Sequence, residues 1–229
     1  MSLSKGWLGE KKVAFYMWLW LPKKTYHKFH DLIIPSTNGT SQIDHIVISI
    51  YGIFIVETKN KRGWIFGSEK NSSWTQSIYG NNYSFQNPLR QTFRQKKALS
   101  IYLNIEESKI HTIAYFVGNC EFKTEMPKNV INGKLCRFIK KSQRPILMFE
   151  EVDELVARVK WHERESTLTI KDHIKSLEAR HSSNSTCPKC GSKLVQRVSR
   201  KGPNKGSRFL GCDSFPKCRY STSIQTNFP

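Results

Sequence analysis

Gln42-Ile43-Asp44-His45-Ile46-Val47-Ile48-Ser49-Ile50-Tyr51-Gly52-Ile53-Phe54-Ile55-Val56-Glu57-Thr58-Lys59 reads as two Ile/Val-rich strands joined by a tight turn. Alternate residues of a strand share a face. Gln42, Asp44, Ile46 and Ile48 therefore line one face of the first strand, and Ile53, Ile55, Glu57 and Lys59 one face of the second. If Ile50 and Tyr51 form the turn, Ile48 opposes Ile53, Ile46 opposes Ile55, Asp44 opposes Glu57 and Gln42 opposes Lys59. Directly opposed Cβ atoms lie about 4.5–5.5 Å apart. A three-residue loop with Gly52 in a left-handed conformation would instead put the two acids on opposite faces.

Two carboxylates this close repel unless one keeps its proton or a cation lies between them. A hard divalent cation, Mg²⁺ or Mn²⁺, takes oxygen ligands and keeps positions open for water and phosphate. Lys59 can then orient an attacking water or stabilise charge on an opening phosphodiester. A surface ion pair would account for Glu57 and Lys59 alone, and a solvated carboxylate for Asp44 alone; their common register favours a site. His45 points to the other face and reads as structural.

Outward from this hairpin, Gly6 to Leu21 reads as a first helix, buried, ended by Pro22. Its apolar run Val13–Leu21 is too short to span a bilayer and has no small-residue cleavage site. Thr25–Ile34 reads as a strand, residues 60–87 as a short hairpin with loops, and Pro88–Asn104 as a helix capped by Asn87. His111–Val117 is a buried strand, Pro145–Phe149 a short one, and Glu150–Lys160 and Ser166–Arg180 are helices. Residues 1–181 then form one domain, and a Ser/Asn linker leads to a small module at 182–229.

The chain has 229 residues and a formal net charge of +19, which favours a polyanion partner. The excess runs through both parts: residues 182–229 hold nine Lys and Arg against one acid, Asp213. Four of the six cysteines cluster, whereas Cys120 and Cys136 stand alone, a usage that fits a reducing, cytoplasmic setting.

Gly9-Glu10, Gln42-Ile43-Asp44-His45, Glu57-Thr58-Lys59, Gly63, Trp74-Thr75-Gln76 and Asn87-Pro88…Gln91 together resemble the nuclease-related domain (NERD) of the PD-(D/E)xK superfamily, over about residues 5–120. The resemblance implies an α/β fold, a restriction-endonuclease-like mixed sheet flanked by helices. It implies that Asp44 and Glu57 hold the metal, that Lys59 is the catalytic lysine and that Glu10 completes the site. Gln76 and Gln91 match further polar positions. Ile43 stands where the superfamily's name has Pro.

Cys187-x2-Cys190 and Cys212-x5-Cys218 offer four thiolates to one structural Zn²⁺, a closed site with no catalytic position. A polar module this short needs such a staple to fold. Arg197, Arg200, Lys201, Lys205, Arg208, Lys217 and Arg219 are interleaved with Phe209, Phe215 and Tyr220. Charge that tracks a backbone beside rings that stack on bases suits single-stranded nucleic acid; Phe209 reads instead as the module's own core. Cys187-Pro188-Lys189-Cys190-Gly191, Phe209-Leu210-Gly211-Cys212 and Phe215-Pro216-Lys217-Cys218 resemble the C-terminal zinc finger of bacterial type I topoisomerases, which implies DNA binding. The expectation is a metal-dependent DNA endonuclease with a zinc-ribbon tail, nucleoid-associated, with DNA, single strands included, rather than a membrane as partner. A non-catalytic nucleic-acid binder or an RNA nuclease are the alternatives.

Overall fold

The computed structural model describes residues 3–182, 185–188, 192–200, 202, 204–216 and 218–224. The chain divides into two compact units. The first comprises residues up to Ile34 and Ser41–Leu168; the second comprises Pro35–Thr40 and everything from Thr169 onward.

The first unit is built on α1 (Leu3–Trp20), β1 (His27–Ser36), β2 (Gly39–Ser49), β3 (Gly52–Lys59), β4 (Gly63–Phe66), β5 (Ser73–Ile78), β6 (Asn81–Gln86) and α2 (Pro88–Leu103). There follow β7 (Ile110–Phe116), β8 (Cys120–Phe122), β9 (Val130–Ile131), α3 (Leu135–Lys140) and α4 (Phe149–Glu165). The main sheet has the order β1-β2-β3-β7-β9, with β2 and β3 antiparallel and β3, β7 and β9 parallel, so it is mixed. A second sheet, β6-β5-β4-β8, fills the segment read from sequence as a short hairpin with loops.

Strand alternation decides which helices cover which face. Ile46, Ile48, Ile53 and Ile55 pack in one cluster with Leu99 and Leu103 of α2 and Val152, Val156 and Val159 of α4. Val47, Phe54 and Val56, one residue out of phase, pack with Val13 and Met17 of α1 and Leu135 and Ile139 of α3. Strands covered on both faces read as near-continuous apolar runs, which is how β2 and β3 look in the sequence.

Asn87 caps α2 as its sequence suggests: the side chain accepts from the Leu89 amide at 2.9 Å, and Pro88 occupies the first turn. Two expectations fail. Pro145–Phe149 is not a strand; the Ile146 and Leu147 amides both donate to the Ile50 carbonyl, at 2.8 and 3.0 Å, and close off the β2–β3 turn before α4 begins. The first helix is not buried overall. Val13 and Met17 are, but Trp7, Phe15, Trp18 and Trp20 are all more than half exposed. Apolar residues on every side of a helix exceed what one sheet face can cover.

The second unit holds α5 (Ile170–Ser182), the β1–β2 hairpin tip and a three-stranded antiparallel ribbon, β10 (Leu194–Val198), β11 (Arg208–Cys212) and β12 (Ser221–Ser223). Buried Arg180 on α5 donates to the Thr40 carbonyl at 2.7 Å and the Asn38 carbonyl at 3.3 Å. Asn38 in turn donates to the Cys187 carbonyl at 3.4 Å. Ser185 and Thr186, read as linker, already belong to the ribbon's hydrogen bonding: Thr186 bridges Lys193, and the Leu194 amide donates to Ser185 at 2.8 Å.

Candidate active site and zinc cluster

The β2–β3 hairpin turns on two residues. Ser49 pairs with Gly52, Ile48 with Ile53 and Ile46 with Ile55, so the register that aligns Asp44 with Glu57 is the one adopted. Gly52 has φ of +112°, a conformation a side chain would strain, and a Cβ there would lie 2.9 Å from the Lys109 carbonyl. The Ser49 hydroxyl accepts from the Tyr51 amide at 3.2 Å, which steadies a turn whose own residues are poor turn formers.

Beyond the last ladder pair, His45 with Val56, the Asp44 carboxylate accepts from the Thr58 amide at 2.8 Å. Glu57 is 2% exposed and uses both oxygens: Oε1 accepts from Lys59 Nζ at 2.5 Å and Oε2 from Gln95 Nε2 at 2.6 Å. Lys59 Nζ also donates to Gln91 Oε1 at 2.9 Å. Sequence reasoning missed Gln95. It lies one helical turn after Gln91 on α2, and that i,i+4 spacing was the available signal.

Electrostatics bind Glu10 into the same group. Burial, followed by the nearby carboxylates of Asp31 and Glu57, raises the Glu10 pKa. Burial and then Glu57 hold the Asp44 carboxyl well above the ordinary range, against the opposing Thr58 hydrogen bond and Lys59 charge. Burial works against the Lys59 charge, but Glu57, Asp44 and Glu10 together outweigh it and raise the Lys59 pKa. Gly9 is what lets α1 come this close to the end of β3: a Cβ there would sit 2.9 Å from Asn60 Cβ.

Three carboxylates with one lysine among them, largely withdrawn from water, form a donor set that fits a hard divalent cation. Gln76 is elsewhere. It sits on β5 opposite Ile65, its side-chain nitrogen donates to the Arg62 carbonyl at 2.8 Å, and among the described residues it has no hydrogen bond to Asp44, Glu57 or Lys59. Its neighbour Trp74 is a core residue, stacked on Phe116 with ring centroids 6.0 Å apart. His45, 1% exposed, pairs Nδ1 to Nδ1 with His30 at 2.8 Å, and burial lowers its pKa to about 3, so it is a neutral structural residue.

In the ribbon, the sulfur atoms of Cys187, Cys212 and Cys218 lie within 4.8 Å of one another, and Cys187 and Cys218 Sγ are 3.7 Å apart. Cys190, Lys201 and Lys217 lie outside the described residues. Arg200, Lys205, Arg208, Arg219 and Phe215 are exposed. Arg197 is instead tied to the module: it donates to the Cys212 carbonyl at 3.2 Å and lies over the Phe215 ring at 5.8 Å. The small core is Cys187, Leu194 and Cys212 with Leu210, Cys218 and Tyr220 against it; Tyr220 thus packs inward, and Phe209 lies outside that cluster. Cys120 and Cys136 are free thiols, and burial raises the Cys120 thiol to about 11.

Two family models match the chain. Residues 5–117 match the family model of the nuclease-related domain, and residues 184–227 that of the topoisomerase DNA binding C4 zinc finger. An uncharacterized protein of Bacillus anthracis is 42% identical over 120 residues, 52% of this chain and 56% of that protein. DNA topoisomerase 1 of Mycoplasma genitalium is 51% identical over 35 residues, 15% of this chain and 4% of the topoisomerase. The uncharacterized protein YrdD of Escherichia coli is 41% identical over 44 residues, 19% of this chain and 22% of that protein. The chain thus spans about half of the Bacillus relative and a few percent of the topoisomerase. No solved structure gives a significant match. No helix among the described residues is long and apolar enough to cross a membrane.

Proposed function

With a nuclease-related domain at residues 5–117 and a topoisomerase-type zinc finger at 184–227 as premises, we propose that this protein is a divalent-metal-dependent DNA endonuclease whose zinc ribbon adds affinity for DNA. The observation that carries this reading is the pair of buried carboxylates, Asp44 and Glu57, joined by the half-buried Lys59 and the electrostatically linked, half-buried Glu10. A charge cluster of this kind costs stability, and such clusters are found where a site needs them.

Asp44 and Glu57 would hold Mg²⁺ or Mn²⁺, with Glu10 beside them. The cation, when bound, supplies Lewis-acid charge to a phosphodiester and activates water. Gln95 fixes the Glu57 carboxylate from one side and Lys59 fixes it from the other. Thr58 fixes Asp44 through its amide. Lys59 has a raised pKa and keeps its proton at neutral pH, so its role is to stabilise developing negative charge or hold a water, and not to remove a proton. Gln91 orients the ammonium by accepting one of its hydrogens. Gln76 is held by the Arg62 carbonyl through its amide nitrogen, with its buried side-chain oxygen unpartnered among the described residues, and stays a candidate polar residue of the site.

Structural Zn²⁺ on Cys187, Cys190, Cys212 and Cys218 would hold the ribbon together, with Arg200, Lys205, Arg208 and Arg219 as its exposed phosphate contacts. Such an activity belongs in the cytoplasm of a bacterial cell, at the nucleoid. The test is cleavage of supercoiled, linear and single-stranded DNA and of RNA with Mg²⁺, Mn²⁺ or EDTA. Lys59→Ala should abolish cleavage while folding and DNA affinity persist. Full activity in that variant or in EDTA would remove the nuclease reading, and cleavage of RNA alone would redirect it.

A further inference from the structure

Beside the acid cluster lies a groove of about 1330 Å³, larger than the roughly 300–1,000 Å³ typical of small-molecule sites. It runs between α1, the β4–β5 hairpin with the Tyr79-Gly80 turn, and the chain that leaves β7, and Gly9 and Asn60, the chain neighbours of Glu10 and Lys59, form part of its wall. Its lining includes Lys12 and Arg62 and the aromatic residues Tyr16, Trp64 and Tyr79, and among the described residues no carboxylate. In a unit that gathers acids a few residues away, a wall with cations and no acid is selective for an anion.

The aromatic residues are presented outward. Trp64 is 51% exposed and Tyr79 is 99% exposed. Tyr79 and Gly80 form the two-residue turn between Ile78 and Asn81, with φ of +50° and +79°. The first position of such a turn is ordinarily Asn, Asp or Gly, and a bulky residue there is strained. A large ring held at a strained hairpin tip with no packing to reward it points to use by a ligand.

Resting on the nuclease reading, we propose that this groove binds a single-stranded segment of the substrate, with unpaired bases stacking on Trp64 and Tyr79 and phosphates tracking Lys12 and Arg62, and leads the strand to the acids. A duplex keeps its bases stacked inside and offers no ring face to these side chains, whereas an unpaired strand offers one at every nucleotide. The preferred substrate is then DNA with a single-stranded tail, gap or bubble.

The test uses the full-length protein without added divalent cation, so that nothing is cleaved. A 5-iodouracil-substituted oligothymidylate is photo-crosslinked and the adducts mapped by mass spectrometry, and single-strand and duplex affinities are read by fluorescence anisotropy. Adducts should fall on the peptides carrying Trp64 or Tyr79. Trp64→Ala and Tyr79→Asn should each weaken single-strand binding on the order of tenfold and leave duplex binding unchanged. Tyr79→Asn suits the turn better than the native residue, so its loss of binding cannot be a loss of fold. Adducts confined to residues 184–227, or unchanged single-strand affinity in both variants, would overturn the groove. If the adducts appear but wild-type protein never cleaves, the nuclease reading fails and the groove stands. If the protein cleaves and no adducts form in the groove, the nuclease reading stands and the groove fails.

Discussion

The carboxylate hairpin and the zinc ribbon both crowd ionisable side chains together, yet the crowding is held in opposite ways. Around the acids, Ile46, Ile48, Ile53 and Ile55 continue into a large core shared with α2 and α4, which would persist whatever the charges did. Among the described residues of the ribbon the buried apolar ones are Cys187, Leu194 and Cys212, two of them candidate sulfur donors. The first site uses a stable scaffold to impose an unfavourable charge arrangement; the second uses the metal to make a scaffold. On the proposed reading a cation would be a functional group in one region and part of the core in the other.

The sharpest way to break the comparison is to remove zinc. Cys212→Ser, or a strong chelator, should unfold the ribbon, since structural zinc contributes about 10–16 kcal/mol in small zinc modules. Residues 41–168 should keep their fold. Amide NMR spectra or limited proteolysis would show it, and a concerted loss of both regions would contradict the contrast.

At the acids the sign reverses. Asp44→Asn should eliminate Mg²⁺ binding and cleavage yet raise the melting temperature in EDTA by about 2–5 °C, a shift of order 1 kcal/mol. The neutral amide still accepts from Thr58 and no longer repels Glu57. Calorimetry in EDTA checks this; a lower melting temperature would mean that Asp44 is a structural acceptor whose charge the fold requires.

The pH dependence follows from the same residue. Asp44 has its folded pKa raised, so the stability it contributes is complete below its ordinary carboxylate pKa and is lost as pH rises through the raised value. Lys59, also raised, contributes stability that is lost only at alkaline pH, above its ordinary value. In EDTA, stability should therefore decline as pH rises from the acid range through the raised Asp44 value, and Asp44→Asn should flatten that decline. Denaturant titrations at a series of pH values would expose a flat wild-type profile if the cluster were not strained.

A smaller effect is expected at Glu10, whose link to the cluster is longer-ranged. Glu10→Gln should weaken Mg²⁺ affinity about tenfold, the scale of a group that supports the direct ligands, without changing the melting temperature by more than a degree or so. Titration calorimetry measures it, and an effect as large as that of Asp44→Asn would make Glu10 a direct ligand. The smallest effect belongs to the ribbon's surface: Lys205→Ala should reduce the salt slope of DNA binding by about 0.7–0.9, one phosphate's share.

Much of the first site was legible because strand alternation is a local rule. Once Ile48 faces Ile53, the positions of Asp44 and Glu57 follow from counting. The cysteine spacing was legible for a similar reason, since two ligands three residues apart can share one metal wherever the module folds. What stayed hidden depended on distant packing. The i,i+4 spacing from Gln91 puts Gln95 on the same side of α2, but it reaches Glu57 only because α2 packs against β3, which no local rule announces. The second sheet escaped notice because β4 draws one of its partners, β8, from beyond α2. The exposed aromatic face of α1 reads as core in any composition-based view, and only the finite area of the sheet beneath it left Trp18 and Trp20 uncovered. By itself, the sequence determined which residues share a face with Asp44 and with Glu57 in their own strands and the metal-binding spacing, because side-chain direction and ligand spacing are short-range geometry; the two-residue turn that aligns the two acids is read from the structure. Only the tertiary structure decided which glutamine holds Glu57, how Glu10 joins the acids and which rings face solvent, because those depend on surfaces brought together from distant parts of the chain.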